Sequence, residues 1–147
     1  MPTIERFEDL QCWQAGRQLK RTVYQFTRKT DFASDFALVS QIRRSAQSVT
    51  ANIAEGFERE GNREFLQFLS QAKGSVGEVK DHLYTALDQG YIAPEDFNGS
   101  YAMAEDVTRL VGGFMSYLRR CEVSGSKFKR DIAANSKPQT RNSKPGC

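Results

Sequence analysis

The groups best suited to chemistry in this 147-residue chain are two carboxylates and one histidine. Glu55 and Glu78 fall on different predicted helices and could face one another, and paired carboxylates can do acid–base work or bind a metal ion. His82 is expected on the polar side of its helix, but a general base needs a partner and a pocket. Bundles that hold two metal ions carry Glu-x-x-His repeats, and this sequence has none. The sequence therefore predicts a protein that is not an enzyme and has no metal site or cofactor.

Arginine side chains form the second set of candidates, because a guanidinium group can bind a phosphate through two parallel hydrogen bonds. One pair is expected on the outer side of a helix, and a second pair flanks the turn after it. The predicted nucleic-acid contacts are Arg43, Arg44, Arg59 and Arg63. Three further cations, Arg17, Lys20 and Arg21, fall on the first helix. The alternative is that these cations form salt bridges with nearby glutamates such as Glu58, Glu60 and Glu64.

The net charge of +3 is unevenly distributed along the chain. Residues 123–147 hold six Lys or Arg against Asp131 alone, which leaves −2 for the first 122 residues. This tail repeats NSKP and has few large apolar groups, so it is predicted to be disordered and basic. The near-neutral charge of the remainder weakens the case for phosphate binding there. We therefore expect one domain over residues 1–122 and a tail over residues 123–147.

Four long amphipathic segments account for the predicted domain, and no strand alternation of any length interrupts them. The first runs from about Asp9 to Lys29, and the linker TDFAS follows it. The second runs from a cap at Ser34 or Asp35 to Glu58, and the third from a cap at Asn62 to about Gly90. The fourth runs from Pro94 to about Glu122. Long helices joined by short turns predict an all-α, antiparallel up-down four-helix bundle.

The second segment carries two stripes at helical spacing. The apolar stripe consists of Val39, Ile42, Ala46, Val49, Ile53 and Phe57, and the polar one of Gln41, Ser45, Ser48, Asn52, Glu55 and Arg59. The polar stripe begins with small uncharged groups, which favour close approach of another helix or subunit. A Gly inside a helix costs about 1 kcal/mol relative to Ala, so Gly74 and Gly77, like Gly112 and Gly113, are interpreted as packing contacts. The predicted oligomer or helix-seam contacts are Gln41, Ser45, Ser48, Asn52, Glu55, Gly74, Ser75 and Glu78.

Particular phrases of the sequence also match a known family. These phrases are Phe7 to Leu10 with Trp13, QIRRSAQSVTANIAEGF from Gln41 to Phe57, Glu64-Phe65, Phe68-Leu69, Ala72, Gly74-Ser75 with Glu78, and Gly90-Tyr91-Ile92. On these residues the chain resembles the bacterial four-helix-bundle family also called 23S rRNA-intervening-sequence proteins, over about residues 7 to 120. The resemblance implies a ring-shaped homopentamer. A distant relative is the accessory protein of diversity-generating retroelements, a basic pentamer that binds nucleic acid and a reverse transcriptase.

Two functions remain open on the sequence, both for a cytoplasmic protein that assembles with copies of itself. The first is a nucleic-acid-associated oligomer that binds RNA or DNA through phosphates with little sequence specificity. The second is a structural or adaptor oligomer whose partner is another protein. No run approaches the roughly 20 apolar residues of a membrane span, so no membrane partner is expected. The three cysteines lie far apart with no CxxC pair, so the sequence indicates no zinc site.

Overall fold

Five α-helices follow one another in residues 4–123, the part of the chain that this computed structural model describes. A 3-10 turn at Phe7–Asp9 is followed by α1 (Gln11–Thr27), α2 (Thr30–Ala33), α3 (Phe36–Glu58), α4 (Asn62–Asp88) and α5 (Pro94–Val123). The same residues contain no strand. The predicted disordered tail lies outside the described residues from position 124 onwards.

The four long helices enclose one apolar core. α3 packs against α1 and α4, and α5 packs against α4 and α1, so each long helix has two long neighbours. The apolar stripe predicted on α3 faces inward, and Ile42, Val49 and Ile53 are fully buried. They meet the buried faces of the other long helices, which include Leu19, Val23, Leu69, Val76, Leu83, Val107 and Leu118. The all-α four-helix bundle predicted from the sequence is confirmed.

The short helix α2 is an addition to the predicted architecture, because its residues were assigned to a linker. Phe32 within it is fully buried and stacks on Tyr91, with 5.2 Å between the ring centroids. A single helical turn is too short to show a 3.6-residue period, so its sequence carries no helical signal. The turn closes one end of the core beneath the connection between α4 and α5.

The helix ends agree with the sequence at two places and differ at a third. The Asp35 carboxylate accepts a hydrogen bond from the Leu38 amide at 3.1 Å and so caps α3, as predicted. Gly90 has φ of +77° and ends α4, with its amide bonded to the Leu87 carbonyl as in a Schellman turn. The prediction that Asn62 caps α4 is wrong, because Gly61 occupies the cap position and Asn62 is the buried first helical residue.

Two glycines stand where helices of the chain come close together. A Cβ at Gly16 would lie 3.2 Å from side-chain atoms of Val49 and Thr50, and one at Gly56 would lie 2.8 Å from Phe65 and Phe68. By contrast, the glycines interpreted from the sequence as packing contacts, Gly74, Gly77, Gly112 and Gly113, have no atom within 4 Å of the Cβ position. These four glycines therefore make no close helix crossing within residues 4–123, and their interpretation as contacts with a second molecule stays a prediction.

Candidate functional site

The four arginines predicted to bind nucleic acid do not form one patch. Arg43 and Arg59 lie sixteen residues apart on and just after α3, which corresponds to roughly 24 Å along the helix axis. Arg59 forms an ion pair with Glu55 at 2.7 Å, and its guanidinium lies over the Phe68 ring. Arg63 lies beyond it, in the first turn of α4. The two pairs therefore belong to different regions of the bundle surface.

Arg43 is held against α1 rather than on the outer side of its helix, where the sequence placed it. Its Nε donates a 2.8 Å hydrogen bond to Thr27 Oγ1, and its guanidinium carbon lies 4.4 Å from the centre of the Tyr24 ring. Arg44, the next residue, is exposed. A guanidinium that is fixed by a hydrogen bond and an aromatic face keeps its terminal nitrogens in a defined direction. Arg43 thus has a fixed orientation against α1.

The helices α1 and α3 together present a basic face. Its cations are Arg17, Lys20, Arg21, Arg28, Lys29, Arg43 and Arg44, and no Asp or Glu occurs in residues 10–30 or 36–54. Lys29 pairs with Asp96 at 3.5 Å. None of the other six forms an ion pair with any residue between 4 and 123. Six cations on this face without an acidic partner among residues 4–123 favour an anionic partner from outside the chain.

A cleft of about 440 Å³ lies in the centre of this basic face. Its lining residues are Lys20, Arg21, Tyr24, Gln25, Arg28 and Gln47. Gln47 Nε2 donates a 2.8 Å hydrogen bond to the Tyr24 hydroxyl, and Lys20 Nζ donates at 2.9 Å to Thr50 Oγ1. Partial burial lowers the pKa of Lys20, with a further contribution from the Arg17 charge. The cleft thus combines three cations with hydroxyl and amide groups, and no carboxylate lines it.

The charges of the bundle are separated into two halves that the near-neutral total conceals. Residues 4–54, which contain the 3-10 turn, α1, α2 and most of α3, carry eight Lys or Arg and five Asp or Glu, a net +3. Residues 55–123, which contain the end of α3 with α4 and α5, carry seven Lys or Arg and twelve Asp or Glu, a net −5. Because α1 packs beside α3 and α4 beside α5, opposite sides of the bundle have opposite charge.

The polar stripe predicted on α3 lies along α4 of the same chain. Ser45 Oγ donates to Glu78 Oε1 at 3.0 Å, and the hydroxyls of Ser48 and Ser75 lie 2.8 Å apart. Asn52 Nδ2 donates to the carbonyl and hydroxyl oxygens of Ser48, within its own helix. Four of the eight predicted seam residues are thus brought together between α3 and α4.

The other predicted seam residues have different surroundings. Gln41 is exposed, and Glu55 is taken up by its ion pair with Arg59. Gly74 lies on the exposed side of α4, one residue away from the bonded Ser75. These positions are accessible to a second molecule.

The two carboxylates considered for catalysis have separate partners. Glu55 pairs with Arg59 and Glu78 bonds to Ser45, so the two carboxylates do not face one another. His82 is 16% exposed, and its Nδ1 lies 3.9 Å from an Asp81 carboxylate oxygen. Within residues 4–123 no group of three or more His, Cys, Asp or Glu side chains could hold a metal ion. No helix in that range has the length and apolar character to cross a bilayer.

Comparison with known proteins assigns the bundle to a family. Residues 8–113 match the model of the 23S rRNA-intervening sequence protein family, which is most of the chain. The chain belongs to this family. No curated protein matches it. A crystal structure of a protein of unknown function from the S23 ribosomal protein family of Bacteroides thetaiotaomicron superposes on it with a TM-score of 0.65 at 20% identity.

The match to that structure covers 71% of this chain and 97% of the Bacteroides chain. At this identity the likeness concerns the fold alone, and it supports the helical bundle described above. The match to the family extends from Glu8 to Gly113, so it includes α1, α3, α4 and the larger part of α5. The basic face therefore lies within the part of the chain that the family defines.

Sequence reasoning missed the cleft on the basic face, although part of its signal is visible. Residues 10–30 contain five cations and no acidic residue, which can be read directly from the sequence. The contribution of Tyr24 and Gln47 has no such signal, since it depends on the contact between α1 and α3. Gly16 permits that contact, because its missing side chain leaves room for Val49 and Thr50.

Proposed function

We propose that this protein is a non-enzymatic, oligomeric nucleic-acid-binding protein that contacts RNA or DNA phosphates through the basic face of α1 and α3. The observation that carries the proposal is the set of six cations there without an ion pair among residues 4–123. Lys and Arg side chains that neutralise phosphates supply most of the affinity of non-specific nucleic-acid binding. The face has no recognised sequence-reading module, so we expect little sequence specificity.

The family name is consistent with this proposal, because it refers to ribosomal RNA genes. The basic face also removes the objection that the bundle is close to neutral, since its positive and negative charges lie on different sides. We propose that the protein acts in the bacterial cytoplasm, where RNA and DNA are available to it.

We further propose that the protein assembles into a homopentamer, as its family resemblance implies. Support comes from the exposed Gly74, Gly77 and Gly113 and the half-buried Gly112, whose Cβ positions have open space around them within residues 4–123. Backbone without side chains allows another molecule to approach closely. Assembly would also multiply a weak phosphate-binding face, because binding at one subunit raises the effective concentration of the ligand at the next.

The experiment that tests nucleic-acid binding is a salt series on variants of the basic face. Fluorescence anisotropy would measure the affinity of the full chain for labelled single-stranded and duplex RNA and DNA. The triple variant Lys20→Gln, Arg21→Gln, Arg28→Gln should weaken binding to all of them. Its slope of log affinity against log salt should be shallower by about 2 to 3, from about 0.7 to 0.9 per lost phosphate contact.

The matched control removes three cations from other regions: Arg59→Gln, Arg63→Gln, Arg109→Gln. We expect this control to keep the wild-type slope. If the wild-type protein bound no nucleic acid at low salt, or if the control lost as much affinity as the basic-face variant, the proposal would fail.

A protein partner is the alternative function, and a second surface favours it. Tyr84 is 49% exposed and packs with Phe97 and Tyr101, at centroid distances of 4.8 and 5.7 Å. Phe36, at the start of α3, is 81% exposed. Exposed aromatic side chains are enriched at protein interfaces. Binding of a protein that Tyr84→Ser abolishes, in the absence of any nucleic-acid binding, would favour this alternative.

A further inference from the structure

The cleft between α1 and α3 has more positive charge than a single backbone phosphate requires. Lys20, Arg21 and Arg28 all line it, and no carboxylate lies among its lining residues. A phosphodiester in a nucleic-acid backbone carries one negative charge. A phosphate monoester carries between −1.5 and −2 at neutral pH, as a phosphorylated side chain does, and offers about three acceptor oxygens. Three cations that line one cleft match the second group better than the first.

The neutral groups of the cleft add donors at defined positions. The Tyr24 hydroxyl accepts its hydrogen bond from Gln47, so its own proton remains available to a phosphate oxygen. Lys20 uses one of its three N–H bonds on Thr50, which fixes the ammonium group and leaves the other two. The guanidinium carbon of Arg43, which does not line the cleft, lies 4.4 Å from the centre of the Tyr24 ring. The volume of about 440 Å³ lies within the range of pockets for small ligands.

We propose that this cleft binds a phosphate monoester, carried either by the terminal nucleotide of a nucleic-acid strand or by a free mononucleotide. The proposal deepens the proposed function, since a strand end would be recognised in addition to the backbone. Lys20, Arg21 and Arg28 neutralise the monoester, and Tyr24 donates to one of its oxygens. An internal phosphodiester lacks the second charge and has an ester bond on both sides, so it fits this cleft less well.

The test uses oligonucleotides of one sequence that differ only at their ends: 5′-phosphate, 3′-phosphate and hydroxyl at both ends. Anisotropy competition is run at a salt concentration that weakens backbone contacts. A nucleoside 5′-monophosphate and the matching nucleoside are titrated separately by calorimetry. We expect a terminal phosphate to raise affinity about tenfold over the hydroxyl-ended strand, from charge-assisted hydrogen bonds. We also expect the monophosphate, and not the nucleoside, to bind.

Variants test whether the cleft causes the preference for a phosphorylated strand end. Arg21→Gln and Arg28→Gln change exposed side chains, so the folded bundle should be retained, as circular dichroism would verify. Both should abolish the preference for the phosphorylated end. Arg44→Gln removes a cation from the same face outside the cleft and should keep the preference.

The outcomes separate this proposal from the proposed function. A preference for phosphorylated ends that requires Arg21 and Arg28 supports a strand-end site. Binding of the monophosphate alone, with the same requirement, supports a free-nucleotide site even if no strand binds. Equal affinity for all three strands together with no binding of the monophosphate would overturn the proposal, whereas backbone binding by the basic face would still stand.

Discussion

Tyr91 donates a 2.9 Å hydrogen bond to Oδ2 of Asp35, fifty-six residues before it in the chain. The other carboxylate oxygen of Asp35 accepts the Leu38 amide and caps α3. One side chain therefore ties the start of α3 to the connection between α4 and α5. The ring of Tyr91 also stacks on the buried Phe32 of α2. This contact holds together the end of the bundle at which α2 closes the core.

Replacing Asp35 should destabilise the fold more than replacing its neighbour Asp31. Asp35→Ala removes a helix cap and the acceptor for Tyr91, which should cost about 1 to 2 kcal/mol of unfolding free energy. Asp31 is exposed in α2 and its carboxylate makes no hydrogen bond or ion pair with residues 4–123. Asp31→Ala should therefore change stability by less than about 0.5 kcal/mol. Urea denaturation measures both, and equal losses would contradict the role of Asp35.

Stability should fall as the solution becomes alkaline, in a way that depends on Tyr91. Its hydrogen bond to Asp35 raises the pKa of Tyr91 above its ordinary value of 10.0, with burial and the Asp35 charge adding to the effect. A group with a raised folded-state pKa contributes stability that is complete below the unfolded pKa and is lost as pH rises through the folded pKa. Tyr91→Phe should therefore show a flatter loss of melting temperature around and above pH 10. An equally steep loss in this variant would contradict the assignment.

Alanine should have opposite effects at Gly56 and Gly74. At Gly56 the added methyl would meet Phe65 and Phe68 at 2.8 Å, so Gly56→Ala should cost about 1 to 3 kcal/mol through overpacking. At Gly74 the space is open, so Gly74→Ala should stabilise the isolated bundle by up to about 1 kcal/mol through helix propensity. Thermal denaturation of both variants, measured side by side, tests these two opposite stability effects. A loss at Gly74 equal to that at Gly56 would show that both glycines are packed.

Lysine should not replace Arg43 without loss. Arg43→Lys removes the Nε donor to Thr27 and the flat guanidinium over Tyr24. It keeps the charge, so a purely electrostatic role predicts unchanged binding. We expect the affinity for nucleic acid to fall severalfold, on the order of 1 kcal/mol, while Arg44→Lys leaves it unchanged. Fluorescence anisotropy at a single low salt concentration is sufficient to compare the two variants. Equal affinities of both variants for nucleic acid would show that preorganisation of Arg43 has no effect.

Assembly should depend on the exposed glycines of α4. We expect the wild-type protein to have the mass of a pentamer by light scattering at micromolar concentration. Gly74→Phe should reduce that mass because it fills the space a neighbouring subunit needs. The open surroundings of Gly74 in the chain accommodate the ring, so the variant should remain folded, and Gly74→Ala serves as the matched small control. A monomeric wild type, or a Gly74→Phe protein with unchanged mass, would rule out this contact.

The helices could be predicted from the sequence because each long one buries a continuous apolar stripe. The predicted starts and ends fall within about two residues of the observed ones, which is the usual uncertainty of helix boundaries. α2 escaped prediction since four residues contain no period. The sequence could not show which glycines pack within the chain, for a different reason. A glycine in a helix has the same sequence signal whether it faces a neighbour, as Gly16 does, or open space, as Gly74 does.

The candidate site was less accessible from the sequence than the fold. Arg43 and Arg59 were both selected as cations able to bind phosphate, but sixteen residues of helix separate them by roughly 24 Å. Arg28 and Arg43 belong to different helices and were not considered together, although both lie on the basic face that α1 and α3 share. Averaging the charge over the whole domain then cancelled the two halves. The relevant quantity was the charge of each pair of adjacent helices.

The separation of charge also determines how the molecule behaves in an electric field. With +3 on one side and −5 on the other, the bundle has a large dipole moment although its net charge is small. The electric field of a polyanion orients a protein with such a dipole before contact. The protein therefore approaches with α1 and α3 facing the polyanion. It should bind to both cation- and anion-exchange resins at low ionic strength. Its retention on either resin should exceed that of a protein of equal net charge whose charges are evenly mixed.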